Sequence, residues 1–114
     1  MEDDCLFCKI IARKIQAKFE YEDGSIVAIQ DINPKAPVHL LVIPKKHIAQ
    51  ISQAETTDSK LFGDMVLCAK ELANRKKLEE GYRLIFNNGL KAGQSVFHVH
   101  LHLLGGRTMS WPPG

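Results

Sequence analysis

Three of the five histidines fall in one alternating run, His98-Val99-His100-Leu101-His102. Successive side chains of an extended strand point to opposite faces. The spacing therefore predicts three imidazoles on one face, with Phe97, Val99, Leu101 and Leu103 on the other. The apolar face suits a core, and the imidazole face then lines a surface or a cleft. A merely solvated strand would carry Lys, Thr or Glu there. Neutral imidazole is a metal ligand, and near pH 7 it is also a nucleophile and a general acid or base. Both uses are open at this point.

The segment before this run is Asn87-Asn88-Gly89-Leu90-Lys91-Ala92-Gly93-Gln94-Ser95. Its glycines permit a tight turn whose amides can face an anion. Gln94 and Ser95 bring side-chain donors. The sequence has no P-loop lysine and no carboxylate cluster of the kind that holds Mg²⁺. Phosphate binding here would rest on backbone amides, hydroxyls and imidazolium.

A second constellation is Cys5-Leu6-Phe7-Cys8. A redox Cys-x-x-Cys normally follows a strand in a thioredoxin-like unit, and no strand-like run precedes this one. A metal site needs two more ligands. His47 and His98 are available, and two cysteines with two histidines are a common structural zinc set. A reduced, metal-free thiol pair is the third reading.

These residues must be positioned by the elements around them. Residues 5–15 place Leu6, Phe7, Ile10, Ile11 and Ile15 on one side of a helix, with Asp3 or Asp4 as its cap. Phe19-Glu20-Tyr21-Glu22 and Ser25 to Asp31 flank Asp23-Gly24, a hairpin signal in which glycine is expected at φ > 0. Asn33-Pro34-Lys35-Ala36-Pro37 reads as a loop and Val38 to Ile43 as a third strand, stopped by Pro44. Lys45 and Lys46 read as a solvated basic pair. Residues 58–78 form the clearest helix, with an apolar stripe through Leu61, Phe62, Met65, Cys68, Ala69, Leu72 and Ala73. Thr57 or Asp58 is its expected cap and Gly81 its stop. Cys68 reads as core. Residues 82–88 and 96–104 are the fourth and fifth strands. The order predicts an α+β fold with a five-stranded antiparallel sheet and two main helices, because the links are too short for parallel crossovers.

With 114 residues the chain reads as a single domain, 1–114, ending in a tail over 108–114. Its composition is 45% hydrophobic and 25% charged, which excludes a disordered or collagen-like chain. A net charge of +2 gives no argument for nucleic acid or an anionic membrane as a partner. No apolar run approaches the roughly 20 residues that cross a bilayer. The acidic start, Met1-Glu2-Asp3-Asp4, lacks the pattern of a secretory or transit peptide. Together with three cysteines, it points to a reducing compartment, the cytoplasm or also the nucleus.

The run Gln94-Ser95-Val96-Phe97-His98-Val99-His100-Leu101-His102-Leu103-Leu104 resembles the histidine triad family, whose signature alternates three histidines with apolar residues. The resemblance extends to Phe7-Cys8-Lys9-Ile10-Ile11, Asp31-Ile32-Asn33-Pro34, the stretch from His39 to His47, Leu104-Gly105-Gly106-Arg107, and Trp111-Pro112-Pro113-Gly114. These segments look like the Hint branch and cover nearly the whole chain. Ser110 departs from the pattern, standing where animal relatives often carry His, which bears on leaving-group preference.

The resemblance implies an adenosine 5′-monophosphoramidase-type hydrolase, a purine nucleotide hydrolase or transferase that splits nucleoside 5′-phosphoramidates without a catalytic metal. His100 would be the nucleophile on phosphorus, forming a nucleotidyl-histidine. His102, Asn87 and the loop residues Gly93, Gln94, Ser95 and Val96 would hold phosphate or ribose, and Ser95 would also help the leaving group. Asp31 would accept the ribose hydroxyls. Leu6, Phe7, Ile29 and Ile32 would form the slot for the base. His39 completes a tetrad and would orient a triad member. Some relatives, the uridylyltransferases among them, use the Cys5, Cys8, His47, His98 pattern for structural zinc. A homodimer that joins two sheets, with the tail reaching the partner's site, is also implied. Two alternatives stand beside this: a dinucleoside polyphosphate hydrolase of the fragile histidine triad type, and a zinc-binding regulatory or scaffold protein.

Overall fold

The structure is a computed structural model and describes residues 4–114. Helix α1 spans Leu6–Ile11, followed by strands β1 (Phe19–Glu22), β2 (Ile26–Gln30) and β3 (Val38–Pro44). Helix α2 spans Ser59–Arg75, and β4 (Tyr82–Ile85) and β5 (Leu101–Gly105) complete the sheet. The strand order is β1-β2-β3-β5-β4 and every pairing is antiparallel, as the α+β reading requires.

Both faces of the central strands are covered. Ile26, Ala28, Leu40 and Val42 pack with Met65, Ala69 and Leu72 of α2. Val27, Ile29, Leu41 and Ile43 pack on the other face with Cys5, Phe7 and Ile10 of the α1 segment. Strands β2 and β3 therefore read as continuous apolar runs instead of alternating ones. The short α1 covers only part of its face. His39 on β3, two residues before Leu41, and His102 on β5, paired with Leu41, lie on that same face.

Several boundaries differ from the sequence expectation, each for a local reason. The first helix stops at Ile11 instead of residue 15 because Arg13 takes φ 63°. The amides of Arg13 and Lys14 then donate to the carbonyls of Ile10 and Lys9, a Schellman closure. The cap is Cys5, whose sulfur accepts the Cys8 amide at 3.3 Å, and not Asp4. Asp3 lies outside the described residues. The second helix likewise ends at Arg75, before Gly81. Lys77 at φ 60° lets Lys77 and Leu78 donate to Asn74 and Ala73. Gly24 is not among the residues with positive φ. Its turn is closed by the Asp23 carboxylate, which accepts from the amides of Ser25 and Ile26. Asp58 stands at the cap position of α2, but its side chain accepts from the Glu55 amide and from Lys46 Nζ. Lys46 is thus paired, and Lys45 is paired with Glu22. The fourth strand ends at Ile85.

The largest departure is in the histidine run, because β5 begins only at Leu101. Pairing would next bring residues 99 and 100 opposite Pro44 and Ile43. Proline has no N–H to give a ladder, and residues 98–100 bend away. The Val99 amide donates to Ile48 instead. Val99, Leu101 and Leu103 are buried as expected, but Phe97 is 43% exposed and belongs to no core face.

Because a non-glycine residue in the left-handed region is strained, Lys77→Gly is expected to stabilise the protein by about 0.5–1 kcal/mol, the strain relieved less the added chain entropy. Urea unfolding should show a raised midpoint at constant slope. A midpoint at or below the native one contradicts the closure described for α2.

Candidate active site and metal cradle

Each triad histidine is held at one ring nitrogen, and the partner decides what the other nitrogen can do. His98 lies 2.7 Å through Nε2 from the Pro44 carbonyl, an acceptor only, so Nε2 carries the proton. Its Nδ1 lone pair then faces Cys5 Sγ at 3.3 Å, Cys8 Sγ at 3.5 Å and His47 Nδ1 at 3.1 Å. His100 donates Nδ1–H to the His98 carbonyl at 2.8 Å, which leaves its Nε2 unprotonated. Its ring meets the Phe7 ring edge-on at 5.0 Å and the His102 ring at 4.9 Å.

His102 is set from the opposite end of β3. The Lys35 amide donates to His39 Nδ1 at 3.0 Å, so the His39 proton sits on Nε2. That nitrogen lies 2.9 Å from His102 Nδ1, which must accept. His102 therefore carries its proton on Nε2. Asp31 Oδ2, 3.4 Å from His39 Nε2, favours the same arrangement. The site thus presents one imidazole with a lone pair, His100, beside one with an N–H, His102. His39 was expected to orient a triad member, and the one it contacts is His102.

Burial keeps these rings neutral. It pushes His98 and His102 down to about 4, and it lowers His39 and His100 as well. Neutral His100 keeps its lone pair at pH 7, as a nucleophile must.

The four residues of the second constellation converge. Their ligand atoms all lie within 4.8 Å of one another, so the cluster can hold a metal ion. Tetrahedral zinc at ordinary bond lengths would separate nitrogen from nitrogen by about 3.3 Å and sulfur from nitrogen by about 3.6 Å. The corresponding separations are 3.1 Å for His47 to His98 and 3.3–3.5 Å for sulfur to nitrogen. The Pro44 carbonyl behind His98 is the outer partner that a metal-bound imidazole needs. The donor set fits zinc.

The other expected residues divide. Asp31 Oδ1 accepts the Asn33 amide, so this carboxylate also forms the turn after β2. Phe7 and Ile29 are buried in the core, whereas Leu6 is half exposed and Ile32 is 96% exposed. Asn87 is partly buried and Ser95 is exposed at the mouth of the loop, between Gly93 and the partly buried Val96. Gln94 is used by the fold: its Oε1 accepts the Gly89 amide, and its Nε2 donates to Ala49 and Val96. Neither of its side-chain donors is left for phosphate. The amides of Ala92, Gly93 and Gln94 are also spent, on the carbonyls of Gly89 and Leu90. Two residues that set the site escaped the sequence reading, Lys35 and Pro44. Both act through main-chain atoms, for which side-chain chemistry gives no signal.

Fold and site together define an α+β domain that presents paired, oppositely polarised imidazoles at an open sheet face, next to a closed four-ligand cradle. The comparisons with known proteins agree. A family model described as scavenger mRNA decapping enzyme C-term binding matches residues 4–111. An uncharacterised HIT-like protein of Synechocystis is 51% identical over all of both chains. A solved HIT family hydrolase from Legionella pneumophila is 54% identical, with a TM-score of 0.96, over 97% of this chain and 100% of that one. A histidine triad nucleotide-binding protein from Candida albicans is 34% identical, with a TM-score of 0.82, over 96% and 83% of the two chains. The chain belongs to the histidine triad family. Among the described residues, no helix is long and apolar enough to cross a membrane.

The lowered histidines make stability depend on pH with a definite sign. An unfolded histidine takes up its proton near 6.5, while His102 resists until about 4. Between those values the unfolded state binds more protons, so stability rises with pH. Unfolding midpoints are expected to change little near neutrality and to fall steadily from about 6.5 towards 4. His102→Gln should flatten that slope. A slope that the substitution does not change assigns the acid sensitivity to other groups.

Proposed function

We propose that this protein is a nucleotide hydrolase of the Hint type, cleaving purine nucleoside 5′-phosphoramidates to the nucleoside monophosphate and an amine. One observation carries the reading. His100 gives its Nδ1 proton to the His98 carbonyl and so keeps an unprotonated Nε2, next to a His102 whose Nε2 carries a proton. That pair combines a nucleophile with a donor for a phosphoryl oxygen. The Candida albicans relative's description as nucleotide-binding and the Legionella relative's as a hydrolase are in keeping with it.

In the first step His100 Nε2 bonds to the α-phosphorus and the phosphorus–nitrogen bond breaks. The leaving nitrogen departs as the amine with a proton passed by the Ser95 hydroxyl, which recovers one from solvent. The Nδ1–H···O=C bond strengthens as the ring becomes cationic. Water then attacks the nucleotidyl-histidine, the bond to Nε2 breaks, and His100 returns to its neutral form with release of a proton. Splitting one displacement into two easier ones is the advantage of the covalent route. His102 Nε2–H binds a non-bridging oxygen. Asp31 accepts the ribose hydroxyls, Asn87 and Val96 flank the phosphate and ribose, and Leu6, Phe7, Ile29 and Ile32 border the base.

Zinc held by Cys5, Cys8, His47 and His98 would have a structural role, since four protein ligands leave no open position. It would tie the α1 segment to the histidine run. We also infer a homodimer. Trp111 in the tail is 82% exposed, and Val66, Leu67 and Tyr82 stand out from α2 and β4. Such surface is costly in a lone chain.

Adenosine 5′-phosphoramidate and a diadenosine polyphosphate distinguish the substrate classes. AMP release from the first is expected to dominate, and a clear preference for the second overturns the assignment. His100→Ala should lower turnover by about a thousandfold or more while keeping bound zinc and the unfolding midpoint. Cys5→Ser should lose the metal and several kcal/mol of stability yet retain measurable turnover. A His100 variant stripped of zinc, or a folded Cys5 variant with no activity, contradicts the separation of roles. Asp31→Ala should weaken AMP binding by about 1–3 kcal/mol, read by titration calorimetry.

A further inference from the structure

Gly105 closes β5 against the core residue Leu78, but Gly106 and Arg107, which follow it, are exposed and are not used by the chemistry proposed above. Their position is informative. Val38 pairs with Gly105, so the next residues pass beside the loop that leads into β3. Gly106 adopts φ 91°, and a Cβ on it would fall 2.9 Å from Pro37 Cβ, closer than carbon atoms approach. Only glycine lets the two segments touch there. Arg107 then reaches over the loop, and its Nε donates to the Lys35 carbonyl at 3.1 Å. The exposed guanidinium also donates from Nη1 to its neighbour Thr108.

Lys35 is therefore held at both main-chain groups. Its carbonyl accepts from Arg107 and its amide donates to His39 Nδ1. The loop's other anchor is the Asp31 turn at its start, where the carboxylate accepts from Asn33. We propose that Arg107 and Gly106 are positioning residues that select the protonated nitrogen of His102, three hydrogen bonds from Arg107, by fixing the Lys35 amide against His39. This rests on the function proposed above for its catalytic consequence, though not for its structural test.

The logic is a parity rule. With the Lys35 N–H in place, His39 Nδ1 must accept, its Nε2 must donate, His102 Nδ1 must accept, and His102 Nε2 presents N–H. If the Lys35 amide withdraws, His39 is free to carry its proton on Nδ1. Its Nε2 then offers a lone pair, His102 must answer with Nδ1–H, and His102 Nε2 faces the cleft as a second lone pair. A phosphoryl oxygen would meet repulsion where it needs a donor. Asp31 Oδ2 opposes the swap, but at 3.4 Å it lies beyond good hydrogen-bond distance and is the weaker control.

The test is two-bond ¹⁵N–¹H correlation of the histidine rings in the full chain, with phosphoramidase rates measured in parallel. Native protein is expected to show His39 and His102 as Nε2–H and His100 as Nδ1–H. In Arg107→Met and Gly106→Ala the Nε2–H fraction at both His39 and His102 should fall while His100 stays unchanged. The value of kcat/KM should fall about fivefold to tenfold, the worth of one hydrogen bond. Arg107→Lys, which keeps a donor, should recover part of both signals. Arg107 is exposed, so its substitution leaves the core intact even if Gly106→Ala fails to fold. Native tautomers at His39 and His102 in Arg107→Met overturn the proposal, whatever the rate. A native protein without phosphoramidase activity overturns the assigned function, while the ring signals still decide the clamp.

Discussion

Strand β3 holds the site from both of its ends, and the means is the ownership of single protons. At one end Pro44 cannot donate to a ladder, and its carbonyl is taken by His98 Nε2–H. At the other end the loop before the strand gives the Lys35 amide to His39. Between these two anchors, each imidazole is held by a neighbouring donor or acceptor. His98 offers its main-chain carbonyl, which accepts from His100, and His39 passes a requirement through its ring to His102. A proton moved on His39, His100 or His102 changes what the site offers to a ligand.

Burial makes the arrangement strict. A solvated histidine exchanges tautomers freely because water accepts or donates at either nitrogen. Where water is excluded, a nitrogen without a partner costs about 1–3 kcal/mol. Among the described residues no buried side-chain nitrogen or oxygen lacks a partner. The same exclusion disfavours the imidazolium, which would make donors of both nitrogens. The lowered proton affinity and the fixed tautomers therefore have one cause.

Side-chain chemistry was legible in the sequence and main-chain control was not. The alternating histidines, the Cys5-Cys8 pair with His47, and the stripe from Leu61 to Ala73 declared themselves by type and period. The structure gathers Cys5, Cys8, His47 and His98 as their types allowed. Helix ends fall short of the periodic pattern where Arg13 and Lys77 occupy a backbone region that usually signals itself as glycine. The strand is shorter than the pattern over 96–104 implies, because alternation shows which way side chains point, not whether a ladder exists. Pro44 was correctly seen as a stop for β3, yet a proline that ends one strand also ends the pairing of its neighbour. Gln94 looked like a ligand donor because an amide side chain in a glycine loop suits phosphate equally well as it suits loop closure. Only the fold tells which partner is nearer.

The triad is accordingly not three equivalent groups. His98 is fully buried, its ring committed to the Pro44 carbonyl and the sulfur cluster, so it cannot touch a ligand. Its contribution to the cleft is a carbonyl, delivered to His100 two residues on. A metal ion on its Nδ1 would fix the ring without altering that carbonyl's direction, because side chain and main chain leave the same Cα along different bonds. Cys5 reaches His98 across 93 positions of sequence, so the cradle closes nearly the whole chain into one loop. The cost of closing such a loop grows only logarithmically with its length. A few directional bonds suffice to hold it, and the same bonds bring Phe7 edge-on against His98 and His100. The cradle thus sets where the nucleophile stands, and the His39 relay sets what waits beside it. That division lets two remote segments of sequence each constrain the site through a different histidine.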